Sequence, residues 1–161
     1  MTPEEMKEKA ILIMNKRFHC SQTVVAVGLE KLGQEPNEGL VRSMGAFAGG
    51  LATTGHVCGS LVGALAVFGL VFSRSKEEEK EDPLMWSYSQ EFLRCFREEI
   101  VQGSILCRDI IGVDWKDKNQ IRDHFKGETR RECLRITGET AKIVGEMLDQ
   151  YLAEKKCTDL S

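Results

Sequence analysis

Residues 57–72 read VCGSLVGALAVFGLVF, the most apolar stretch of the chain. Two kinds of protein hang on how it is read: one with a membrane span, or one with a helix buried in a water-soluble core. A span needs about 20 apolar residues. This stretch is shorter, and it carries Cys58, Ser60 and the glycines Gly59, Gly63 and Gly69. It reads as a buried helix over residues 57–74, and no membrane partner is expected. Gly59 and Gly63 form a GxxxG pair, which lets a second backbone come close. In water that serves tight packing or a dimer face.

Outward from there, capping chemistry and helical spacing predict helices over 3–16, 20–33, 37–48, 83–102, 104–111, 118–126 and 130–155. Thr2, Pro3 and Glu5 make an N-cap, a first-position proline and a capping box. Gly33 stops the second helix and Pro36-Asn37 starts the third. Asp82-Pro83 reads as an N-cap followed by proline, and Thr129 with Glu132 as a capping box for the last helix. That helix carries Cys133, Ile136, Thr140, Val144, Met147 and Tyr151 at i, i+3, i+4 intervals. Residues 24–27 have strand propensity but helical flanks. The run 75–82 is nearly all charged and reads as a solvated linker or helix end. The fold class is all-α, a single-domain helical bundle of about six to eight helices over residues 1–161.

A formal net charge of -3 leaves no basic footprint, so nucleic acid is not an expected partner. The acidic N-terminal sequence does not look like a secretory signal, so a cytoplasmic location is expected, where stable disulfides are rare. In that setting six cysteines (Cys20, Cys58, Cys95, Cys107, Cys133 and Cys157) suggest metal binding, redox chemistry or core filling. There is no CxxC pair. There is no CxxCH either, so haem c is not expected. No Ser-His-Asp set or paired-carboxylate motif marks a hydrolytic site.

On the helix map, Cys20, Cys58, Cys107 and Cys133 all fall near helix starts. A helix N-terminus favours negative charge and lowers a thiol pKa, and its free N–H groups can donate to thiolate or sulfide. Several converging starts would form a pocket for an anionic, sulfur-rich centre. Cysteine is also a small hydrophobe that is often buried. That plainer reading is taken for Cys95 and Cys157; for the other four both readings stay open. His56, two residues before Cys58, is a further candidate ligand, as is His19 beside Cys20. Arg108 and Asp109 follow Cys107 and could orient or tune it, but the plainer reading is ordinary helix charges. Glycine permits close approach to a ligand, so Gly49 and Gly50 of the run 45–50, together with Gly59, are candidate cofactor contacts. No Gly-Lys-Ser/Thr follows that run, so it is not a nucleotide loop.

The order Cys20-Ser21-Gln22, Ala46-Phe47-Ala48-Gly49-Gly50, Val57-Cys58-Gly59 with Gly63-Ala64, Gly103 to Arg108 with Ile111-Gly112, and then Cys133 resembles a redox-active family. The family is named for its C–GCAxxG–C–C cysteine pattern and includes split-Soret cytochrome-like proteins. The resemblance runs from about Phe18 to the end of the last helix. It implies a small all-helical fold and redox activity, with iron–sulfur binding as the chemistry. It also implies that Cys20, Cys58, Cys107 and Cys133 hold the family cysteine positions. One position departs: Gly45 stands where the family carries a thiol, and Met44 where it carries glycine. The missing ligand could be replaced by His56, by a thiol of a second subunit or by an exogenous group. It could equally mean that no metal is bound. Three functions follow. The first is an iron–sulfur or metal-thiolate protein transferring or sensing electrons, with Cys20, Cys58, Cys107, Cys133 and His56 as metal candidates and an unknown redox partner. The second is metal-free thiol–disulfide chemistry. The third is a non-catalytic binding module. A homodimer is expected under all three.

Overall fold

The decisive stretch folds as predicted from its composition: residues 59–72 form a helix whose inner residues Leu61, Ala64, Val67, Phe68 and Phe72 are all but fully buried. No helix among the described residues is long and apolar enough to cross a membrane. The computed structural model describes the backbone of residues 1–159 and the side chains of residues 1–156. Its α-helices are α1 (Pro3–Asn15), α2 (Cys20–Lys31), α3 (Glu38–Ser43), α4 (Gly59–Phe72), α5 (Met85–Cys95), α6 (Cys107–Ile111), α7 (Lys118–His124) and α8 (Glu128–Asp159). The protein is all-α; the described residues hold one isolated bridge, Val57 with Leu106, and no strand.

Several starts follow the sequence. The Thr2 hydroxyl accepts the Glu5 N–H at 3.2 Å, and Glu5 accepts the Thr2 N–H at 2.7 Å. The Asn37 side chain accepts the Leu40 N–H at 2.9 Å. Others do not. α5 begins two residues late, with Leu84 as its N-cap, because Asp82 turns the chain first by accepting the Leu84 and Met85 amides. α8 starts at Glu128, and the Thr129–Glu132 box does not form. Thr129 Oγ1 meets His124 Nδ1 at 2.8 Å instead, and Glu132 pairs with Arg135 at 2.6 Å. The helix expected over 83–102 changes at Phe96 into a π turn that runs to Ile100.

Glycines set the packing. A Cβ on Gly63 would stand 2.7 Å from the Ser21 carbonyl oxygen, and one on Gly28 would collide with the Val67 side chain. α2 and α4 thus touch backbone to backbone, pairing Cys20 with Gly59, Ser21 and Val24 with Gly63, and Gly28 with Val67. Both numbers rise together, so the two helices run parallel. The Gly59–Gly63 face of α4 therefore serves tight packing within the chain. α8 runs the same way: the Ser60 and Thr137 hydroxyls meet at 3.0 Å, and Lys31 pairs with Asp149 at 2.5 Å. α1 is antiparallel to α8, joined by Lys7–Glu139 at 2.6 Å and Glu4–Lys142 at 2.9 Å.

Three parallel helices give the core two ends. The far end is aromatic. Phe72 lies 4.8 Å from Tyr151 and Phe68 lies 5.5 Å from Phe92, centroid to centroid. Fully burying a side chain of this size contributes about 1.5–3 kcal/mol. The charged run 75–82 is an exposed loop between α4 and α5, closed by the Asp82 N–H on the Phe72 carbonyl at 2.8 Å. The near end gathers the starts of α2, α4 and α8, and with them three cysteines.

Candidate functional site

Each thiol at this end is placed by a local backbone cause. Cys20 is the first residue of α2, and Gly59 lies against it: a Cβ there would come within 2.6 Å of Cys20 Sγ. Cys58 is the N-cap of α4, and Cys107 is the first residue of α6. These two are clamped together. The Cys58 N–H donates to the Ile105 carbonyl at 2.9 Å, the Cys107 N–H to the His56 carbonyl at 2.6 Å, and the Arg108 N–H to the Gly55 carbonyl at 3.0 Å. Cys133 lies in the second turn of α8, not the first.

The loop before Cys58 has an unusual path. Gly49, Gly50, Leu51, Ala52 and Thr53 all have positive φ, between 53° and 73°. For the three non-glycine residues this left-handed curl costs about 1–2 kcal/mol each. The curl presses Gly50 beneath the clamp: a Cβ on Gly50 would lie 2.6 Å from the His56 main-chain N and O and 2.7 Å from Cys107 Cβ. Gly50 and Gly59 therefore let thiol-bearing segments close on one another. Gly49 packs against Thr53.

The four thiols form one electrostatic group. Cys20 senses Cys58 and Cys107; Cys133 senses Cys20, Cys58 and Cys107; Cys107 senses Cys58. Every pair among the four is thus within reach of mutual repulsion. Helix starts alone would depress these pKa values; the structure reverses the sign. Burial dominates and pushes Cys20 up to about 12 and Cys107 up to about 11, with Cys58 and Cys133 also raised. The helix-start effect survives as a weaker, opposing contribution. The Cys20 and Ser21 amides favour a thiolate at Cys20, and the Ser60 and Leu61 amides favour one at Cys58. At Cys107 the first two amides of α6 are spent on the clamp and the next two on the Leu106 carbonyl, and the help comes from the Trp115 indole. Trp115 Nε1 is buried and makes no hydrogen bond of ordinary geometry, although it lies close enough to favour a Cys107 thiolate. Sequence reasoning did not find Trp115, because an isolated aromatic eight residues beyond a cysteine carries no spacing signal.

The remaining candidates lie apart from this group. The His56 and His19 side chains belong to exposed residues; what His56 gives the site is its main chain. Cys95 sits on α5 with Sγ 3.7 Å from Glu91, and its thiol is pushed up to about 11 by burial and by Glu99 and Glu91. The side chain of Cys157 lies outside the described residues. Position 45 opens towards the Gln22 amide, 3.4 Å from Nε2, so a Cβ there meets Gln22 first. The fourth thiol of the group, Cys133, comes from α8.

The cysteines whose side chains are described are all free. Among the described residues, no three His, Cys, Asp or Glu side chains are grouped closely enough to hold one metal ion. A single tetrahedral ion with bonds near 2.3 Å needs sulfurs about 3.8 Å apart. The four thiols lie near enough for a charge on one to disfavour a charge on another, but they are not grouped in that way.

The model of a family described as "Putative redox-active protein (C_GCAxxG_C_C)" matches residues 18–147. An uncharacterised protein of Archaeoglobus fulgidus is 26% identical over 146 residues, covering 87% of this chain and 91% of that one. Split-Soret cytochrome c of Desulfovibrio desulfuricans is 26% identical over 151 residues, covering 86% of this chain and 53% of that one, so the chain spans about half of that relative. No solved structure matches.

Proposed function

Because the chain belongs to the C_GCAxxG_C_C family of redox-active proteins, we propose that it is a redox protein whose four converging thiols hold a polynuclear iron–sulfur cluster, for electron transfer or redox sensing. The observation that carries this is the mutual electrostatic contact of Cys20, Cys58, Cys107 and Cys133, drawn from four different helices onto one end of the core.

The donor set suits such a cluster in kind: four thiols match its usual ligand count. When bound, the cluster supplies one-electron transfer. The chain's own residues do the rest. Burial keeps the four thiols protonated in the metal-free protein, so loading is coupled to proton release and favoured by rising pH. The amides of Ser21, Ser60 and Leu61 and the Trp115 N–H face sulfurs and stabilise negative charge on them, which tunes the potential. Covalent haem is not carried over from the cytochrome relative, since the chain has no CxxCH.

The test is anaerobic purification followed by iron and acid-labile sulfide analysis and a visible spectrum. Iron and sulfide in comparable amounts, with a broad visible absorption, are expected. A colourless, iron-free protein that cannot be reconstituted would sink the proposal. A second reading, metal-free thiol–disulfide chemistry, draws on the same convergence of free thiols. It predicts an iron-free protein in which oxidation consumes these thiols in pairs.

A further inference from the structure

Beside the thiol group lies a cavity of about 450 Å³, within the size range of small-molecule sites. Its lining includes Arg108, Lys116, Asp114 and Trp115, together with Gly55 and Thr54 at the end of the left-handed loop. Two observations give it a chemical character. First, neither Arg108 nor Lys116, which share this lining, makes an ion pair among the described residues. The carboxylate in the lining, Asp114, is engaged by the Lys116 main-chain N–H at 2.9 Å, so two cations stand against one acid. Second, the Arg108 stem is held. A Cβ on Gly55 would meet Arg108 Cβ at 2.9 Å, Cγ at 3.5 Å and Cδ at 3.6 Å, so only glycine leaves room for it. A guanidinium on a packed stem loses less freedom when it binds an oxygen pair.

Trp115 joins this cavity to the redox group. Its ring lines the cavity and packs edge-on against His124, centroids 5.0 Å apart, while its Nε1 lies by Cys107. We propose that this cavity is a binding site for a small anion with an oxygen-bearing head, a carboxylate or an inorganic oxyanion, held by Arg108 and Lys116 with its body against Trp115. The site is the place from which a small substrate or effector would address the thiols through one indole ring. Binding here requires no loaded cluster, so it stands or falls separately from the iron proposal.

Trp86 and Trp115 are the two tryptophans of the chain, so Trp86→Phe leaves Trp115 as sole fluorescent reporter. In that full-length background, metal-free and reduced, fluorescence is titrated with lactate, with its neutral amide and with sulfate. A saturable change with lactate or sulfate and none with the amide is expected. The change with lactate points to an organic carboxylate, the change with sulfate alone to an inorganic oxyanion. Arg108→Gln, which keeps the packed stem, and Lys116→Gln on the exposed loop should each weaken it at least tenfold. No saturable change with either anion overturns the proposal. So does an equal response to the amide, or binding unchanged in both variants.

Discussion

Alanine at Gly63 and at Gly69 separates packing from helix propensity on a single helix. Both glycines lie inside α4, so each substitution gains about 1 kcal/mol of intrinsic helix preference. Their surroundings differ. At Gly69 a new Cβ meets nothing within 4 Å, so Gly69→Ala should stabilise the fold by roughly that amount. At Gly63 it would stand 2.7 Å from the Ser21 carbonyl oxygen and 3.0 Å from Val24 Cβ. A main-chain carbonyl inside α2 cannot swing aside, so α2 and α4 must separate. Overpacking of this kind costs about 1–3 kcal/mol. The propensity gain cancels between the two variants, which should differ by about 1–3 kcal/mol. At about 2–4 °C per kcal/mol for a chain of this length, that is a gap of roughly 2–12 °C in Tm. Urea unfolding followed by far-ultraviolet circular dichroism measures both variants. Moving α2 from α4 also moves Cys20 from Cys58, so Gly63→Ala should lose iron where Gly69→Ala does not. Indistinguishable midpoints for the two variants would refute the parallel backbone contact on which the site is built.

Gly50→Ala combines a left-handed φ with a Cβ jammed against His56 and Cys107, and should lower stability by roughly 2–5 kcal/mol; denaturant titration checks it. Cys58→Ala should abolish iron and sulfide uptake in a protein that keeps its helical spectrum, while Cys95→Ala should leave uptake unchanged; iron analysis of both variants decides. In the metal-free reduced protein, stability should fall as pH rises above about 9. The folded thiol pKa values are raised, Cys20 to about 12 and Cys107 to about 11, so the folded state holds protons there that the unfolded state has released. That contribution is complete below the ordinary thiol value of 9.0 and is lost as pH climbs through the raised values. Urea midpoints across this window report it, and a flat profile would count against the burial that raises these thiols.

The fold was legible where chemistry is local. The Thr2–Glu5 box, the Asn37 cap, the Gly33 stop and the apolar run of α4 all form as their sequences imply. Local signals failed where a competing partner lay close by. Asp82 turned the chain before α5 could begin, and Thr129 found His124 instead of its own helix start. That Cys20 and Cys58 stand at helix starts was readable from the sequence, but the sign of their electrostatics was not. Proximity to a helix start is a sequence property; burial among other thiols is a tertiary one, and it is the larger effect here. Two features had no sequence signature. Leu51, Ala52 and Thr53 are ordinary residues held in a left-handed curl by the glycines before them and the clamp after them. Trp115 reaches Cys107 only because Gly112 ends α6 in a left-handed cap and turns the chain back.

The central claim is that four thiols from four helices make one site. Differential alkylation with mass-spectrometric mapping tests it most directly, comparing the metal-free reduced protein with the same protein after anaerobic loading with iron and sulfide. Joint protection of Cys20, Cys58, Cys107 and Cys133 on loading, with Cys95 labelled equally in both states, is the result predicted. Protection of fewer than these four, or of Cys95 along with them, would contradict it.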